Sequence, residues 1–219
     1  MRRISMLAIA AALFLGGCEN YVVSDKPWFT AEDAVGAQAV HPGWWIADSS
    51  DCRVDPETPS TAWPDCASTV LVPLDATGIL RAIDGTEHML AGGDPMIAQY
   101  ESLTSKDAAV PSQHAYLYFG VAAVKRDAEG RALVLRYWPA LCGPPRSDRP
   151  AAVTRRPWPG LRVQREGGCV AGDIRTLRRA VERSRVLETQ TPTMRWLRDW
   201  RSGDQSEADW LAAQGIQTH

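Results

Sequence analysis

No apolar run in this 219-residue chain reaches the ~20 residues that a helix needs to cross a bilayer. The longest, residues 4–15, follows Arg2 and Arg3 and ends at Gly16-Gly17. A positive start, a short apolar stretch and small residues are the succession of a secretory signal, so residues 1–17 are expected to be removed. Other absences narrow the chemistry. There is no Gly-x-Ser-x-Gly turn to present an activated serine. His41, His88, His114 and His219 never take His-Glu-x-x-His spacing, and Glu87 and His88, as neighbours, would point to opposite faces of a strand. Gly92-Gly93 lead into Asp94-Pro95 instead of a helix carrying Lys and Ser or Thr, so no phosphate loop is present. No Cys-x-x-Cys or close Cys/His pair offers a zinc site. Ser112 and His114 are close, but Val110-Pro111-Ser112 reads as a loop and strand alternation gives the pair no reason to meet. No catalytic residue, metal ligand, cofactor or nucleic-acid partner is indicated by these templates.

What is present begins at Leu15-Gly16-Gly17-Cys18. These residues resemble the lipobox of bacterial prolipoproteins. The resemblance implies that the Cys18 thiol is diacylated, for example with palmitate, that cleavage precedes it, and that the new amino terminus is acylated. Several chains on one residue hold a protein stably at a membrane, where a single chain does so only marginally. Glu19, standing where enteric lipoproteins retained at the inner membrane carry Asp, implies the periplasmic face of the outer membrane; the inner membrane is the alternative. Residues 19–27 are polar and read as the rest of a tether from 18 to 27, which leaves 28–219 as one domain, a size that suits a single core.

Four cysteines remain once Cys18 is assigned to lipid: Cys52, Cys66, Cys142 and Cys169. An even number in an exported chain reads as disulfides, with three connectivities open. Context favours Cys52 with Cys66 and Cys142 with Cys169, because each pair brackets a Pro-rich irregular segment while the strand-like middle of the chain lies between the pairs. The charge is unevenly spread. Residues 18–145 carry 8 basic and 17 acidic side chains, whereas residues 146–201 carry 14 and 6, a net +8.

Along the chain, Thr30-Ala31-Glu32-Asp33 resembles a helix-capping arrangement and His41-Pro42-Gly43-Trp44-Trp45 a turn entering a strand. Residues 51–65, with Pro56, Pro59 and Pro64, predict an irregular disulfide-closed loop. Residues 69–74 and 79–83 are β-rich, and Asp84-Gly85 signals a hairpin into residues 86–90. Residues 115–124 and 132–138 predict a central hairpin whose first strand is apolar on both faces and so covered on both. Asp173 caps a predicted helix over 174–187, Thr191-Pro192 opens a second carrying Met194, Trp196, Leu197 and Trp200, and residues 206–213 suit a third. The expected fold is α+β: an antiparallel sheet of several short strands followed by two or three C-terminal helices, stapled by disulfides.

Two surface features bear on function. Arg175, Arg178, Arg179 and Arg183 on the predicted helix could meet anionic lipid or glycan or an envelope protein, against a solvated face or internal pairing with the acidic first half. Nine tryptophans could stack on sugars or partners, against core packing beside Pro and Arg. Residues 21–29, Pro42-Gly43-Trp44, Trp63-Pro64-Asp65-Cys66 and residues 194–199 make the mature part similar to lipoproteins of Gram-negative bacteria that have no assigned activity. A non-catalytic binding or structural role at the envelope is expected, with a small periplasmic hydrolase as the alternative.

Overall fold

The computed structural model describes residues 20–35, 39–47, 52–64, 66–67, 69–72, 79–82, 87–103, 114–150, 152–165, 167–187, 193–201 and 204. Within them the chain is mostly β. The strands are β1 (Val23–Ser24), β2 (Gly43–Ala47), β3 (Thr69–Val72), β4 (Ile79–Ala82), β5 (Glu87–Ala91), β6 (Met96–Leu103), β7 (His114–Arg126), β8 (Ala132–Pro139), β9 (Leu161–Val163), β10 (Cys169–Ala171) and β11 (Thr193–Arg198); the one α-helix among the described residues is α1 (Ile174–Ser184). β9 and β10 pair only with each other. The other nine form one antiparallel sheet in the order β1-β7-β6-β5-β4-β3-β2-β11-β8, and β8 also pairs with β7. The ladder therefore curls back on itself, with β7 joined to β6 along one edge and to β1 and β8 along the other.

This overturns the expectation of a sheet followed by two or three helices. The segment expected to form the second helix is β11, which pairs with β2 through Trp196 and Trp45 and with β8 through Met194 and Leu135. Spacing of three between Met194, Leu197 and Trp200 suits a helix, but Met194 and Trp196 suit a strand equally well. A helix here would leave two sheet edges with unpaired backbone groups, and inserting β11 between β2 and β8 satisfies both. The proposed third helix, 206–213, lies outside the described residues.

The curl creates two cores. Alternate residues Trp45, Leu90, Met96, Ala98, Val121 and Leu135 point inward, with Phe119, Met194 and Trp196 packed against them. The opposite faces of β5 to β8 carry Ala91, Ile97, Tyr118 and Trp138, which are covered by Leu177, Ala180 and Val181 of α1 and by Val22 and Phe29. The apolar two-faced run of β7 is thus covered on both sides, by α1 and the amino-terminal segment on one face and by the interior of the curled sheet on the other. Fully burying Leu177 and Val181 is worth about 1.5–3 kcal/mol each. Gly120 is required beneath Trp138, its register partner, because a Cβ there would lie 2.3 Å from the indole.

The segment expected to be a free tether is tied down from Asn20 onward. Val22 N donates to Ala140 O at 2.8 Å, Val22 is fully buried, and Ser24 Oγ lies 2.6 Å from Tyr118 Oη.

Both disulfides have the connectivity favoured by sequence context: Cys52–Cys66 and Cys142–Cys169, each with Cα atoms 5.7 Å apart. The first closes the Pro-rich loop, which holds a turn closed by Thr58 N donating to Asp55 O and the 3-10 segment Ser60–Ala62. The second joins the end of β8 to β10, beside the carbonyl of Tyr21.

Candidate functional site

The arginines of α1 come from one amphipathic helix. Asp173 caps it by accepting from Thr176 N at 2.7 Å, and this bond, with the Thr176 side chain, holds the Asp173 carboxyl below its ordinary range. The apolar positions face the sheet, so the arginines fall on the flanks and the outer face. They do not form one equivalent set. Arg178 is half-buried: its Nη2 donates to Gly92 O at 2.7 Å and its guanidinium lies over the Phe29 ring at 5.4 Å. Arg183 stacks over Trp158 at 5.6 Å, and Arg185, one residue past the helix, over Trp138 at 5.6 Å. Arg175 and Arg179 are exposed.

Arg178, Arg179 and Arg185 border the turn between β5 and β6. A hollow of about 220 Å³ is lined by Asp94, Pro95, Ile97, Arg178, Arg179 and Glu182. A more polar one of about 400 Å³ is lined by Gly93, Asp94, Met96, Ala122, Arg126 and Arg185, among others. Arg178 and Arg179 are legible in the sequence as positions on one helix, whereas Arg126, at the far end of β7, and Asp94 carry no local signal. Only the topology brings them beside the helix. The arrangement offers guanidinium groups to an anion, with Asp94 and Glu182 limiting how much negative charge it accepts. No protein-family model, curated protein or solved structure matches this chain.

A second polar cluster, opposite in character, lies on the outer face of β2 and β11. A bulge after Trp196 puts Arg198 opposite Trp44 where simple alternation would have sent it inward. Its guanidinium forms a buried ion pair with Asp204, donates to Thr58 O and lies 5.2 Å over Trp63, which meets Trp44 edge-on. Asp204 also accepts from Ser60 N at 3.0 Å, Arg201 N at 2.9 Å and Trp44 Nε1 at 3.2 Å. Burial opposes its ionisation, but the Arg198 hydrogen bonds and these donors outweigh burial and hold its carboxyl far below the usual carboxylate range. Every carboxylate bond is turned inward, so this is a clasp tying the Cys52–Cys66 loop and the residues after β11 to the sheet.

Most of the described tryptophans follow the packing alternative, although Trp200 is exposed, and Trp210 lies outside the described residues. Trp45 and Trp138 are buried, and Trp63, Trp138 and Trp158 each carry an arginine over the ring. Among the histidines, His88 lies against Tyr100 with ring centroids 4.9 Å apart and the planes tilted. His41 lies 3.7 Å from Asp127 and 4.6 Å from the Trp196 ring. No group of three His, Cys, Asp or Glu side chains converges to hold a metal among the described residues, and no described helix is long and apolar enough to cross a membrane. Cys18 lies outside the described residues.

Proposed function

We propose that the chain is an envelope lipoprotein anchored through Cys18 at the periplasmic face of the outer membrane, with a non-catalytic role in binding an anionic envelope component. The observation that carries this reading is Leu15-Gly16-Gly17-Cys18 at the end of a charged and apolar leader. The two disulfides support it, since such bonds persist in oxidising compartments. Support for binding comes from the exposed Arg126 and Arg179, which line the hollows beside the β5–β6 turn, with Arg175 exposed on the same helix as Arg179.

Of Arg175, Arg178, Arg179 and Arg183, Arg178 and Arg183 are engaged with Gly92 and Trp158, so a variant that removes all four would also loosen the fold. The test is a pull-down of envelope components with the processed protein and with Arg126→Gln/Arg175→Gln/Arg179→Gln, at rising salt. Exposed charges more than about 10 Å apart are screened at ~0.1 M, so capture should fall steeply with salt and in the triple variant. Capture indifferent to both would end the basic-surface reading. Turnover of an ester or glycoside substrate that is lost on changing His88 or His114 would replace it with a hydrolase.

A further inference from the structure

Asn20, the second residue after Cys18, is 2% exposed. Its Nδ2 donates to Gly143 O at 3.1 Å, its Oδ1 accepts from Thr154 N at 2.9 Å, and its carbonyl accepts from Cys142 N at 2.8 Å. One side chain thus clasps both limbs of the excursion that follows β8, and the Cys142–Cys169 bond holds that excursion beside Tyr21. An extended residue spans at most ~3.3–3.6 Å, so Cys18 cannot lie more than about 7 Å from Asn20. The chain leaves no length for a tether. Whatever surface surrounds Asn20 must stand against the membrane that holds the acyl chains.

That surface is basic. Residues 143–156 carry Arg146, Arg149, Arg155 and Arg156 against Asp148, a net +3. Arg146 and Arg155 share Asp148, at 2.6 and 3.7 Å, and this holds the Asp148 carboxyl down at about 2, chiefly through the Arg146 bond. Arg149 and Arg156 are exposed and neither forms an ion pair among the described residues. Juxtamembrane arginines are attracted by anionic phospholipid within a Debye length of its surface. We infer that the 143–156 excursion is a membrane-docking surface that lies on anionic phospholipid headgroups and fixes the orientation of the domain on the bilayer. This inference rests on acylation of Cys18, because the acyl chains are what bring this face to the membrane.

The opposite end of the molecule supplies the control. The turn at 127–130 joins β7 to β8, and the eight residues of β8, at ~3.3 Å each, place it about 26 Å farther from the anchor. The processed, full-length protein would be labelled with a fluorophore at Ser147→Cys or at Glu129→Cys. It would then be reconstituted into vesicles of phosphatidylethanolamine and phosphatidylglycerol, or of phosphatidylcholine alone, containing a headgroup spin-labelled lipid. Quenching should be several-fold greater at 147 than at 129. A Gly/Ser linker of about twenty residues inserted between Glu19 and Asn20 should reduce quenching at 147 to the level at 129. Arg149→Gln/Arg156→Gln should remove the difference between anionic and zwitterionic vesicles while the acyl chains keep the protein bound. Mass analysis of the amino-terminal peptide separates the two ways to fail. Equal quenching at the two sites on a lipidated peptide overturns the docking surface alone, and a peptide without lipid overturns the anchor and the docking surface together.

Discussion

Arg198 and Asp204 show how much one buried pair can carry. Their side chains are 5% and 1% exposed, and Asp204 is satisfied from four directions. Asp204→Asn leaves the Arg198 guanidinium buried without its counter-ion, which typically costs about 3–5 kcal/mol. Glu57→Gln, which removes the exposed partner of Arg201, should leave the unfolding midpoint nearly unchanged, because solvent screens that pair. Urea unfolding of the two variants checks the contrast. The same carboxylate sets an acid limit. Its folded pKa is depressed, so its contribution is complete above about pH 4, the unfolded value, and is lost as pH falls through the folded one. Tyr118 sets an alkaline limit of opposite sign. Burial, partly offset by the Ser24 hydrogen bond, pushes its hydroxyl up to about 12, so its contribution is complete below about pH 10 and is lost as pH rises from there through 12. Unfolding midpoints measured across pH should fall at both ends, and the acid fall should be shallower in Asp204→Asn. Gly120→Ala tests packing in the same way: overpacking beneath Trp138 should cost about 1–3 kcal/mol, read as a lowered unfolding midpoint.

At the scale of elements, β11 is the decisive segment. As a strand it sends Met194 and Trp196 inward and Arg195 outward, so Trp196→Ala should cost about 3 kcal/mol or more while Arg195→Ala costs under about 0.5. Equal, small effects would contradict the strand assignment. Removing the Cys142–Cys169 bond, which closes a separation of 27 residues, should cost roughly 3.5 kcal/mol, and removing Cys52–Cys66, which closes 14, roughly 3 kcal/mol. The β-hairpins and α1 were legible because each declares itself locally, through Asp127-Ala128-Glu129-Gly130 between apolar runs and through Asp173 before a helical apolar stripe. β11 was not, because six residues with apolar groups at 194, 196 and 197 fit two periods, and only the vacant edges of β2 and β8 choose between them. The grip of Asn20 was also hidden. A polar segment reads as a tether until Gly143 and Thr154, more than 120 residues away, are seen to bind its side chain. Of the helix arginines, the sequence showed the side chains but not that Arg178 and Arg183 are held by Gly92 and Trp158.

For the whole molecule, the curled sheet and its outer layer place the amino-terminal exit, the Cys142–Cys169 bond and the arginine-rich excursion on one side. The arginine-bearing hollows beside α1 and the β5–β6 turn, which also contain Asp94 and Glu182, are built from other elements. This division suits a protein that stands on a membrane by one surface and meets an anionic component with another. Everything in that account depends on the lipid at Cys18. The most direct measurement is mass spectrometry of the amino-terminal peptide of protein extracted from the membrane fraction of a Gram-negative host, run beside Cys18→Ser. The account predicts a peptide beginning at Cys18 and carrying diacylglyceryl and N-acyl groups, with Cys18→Ser left unprocessed and unlipidated. A wild-type peptide beginning elsewhere, or beginning at an unmodified Cys18, would contradict it.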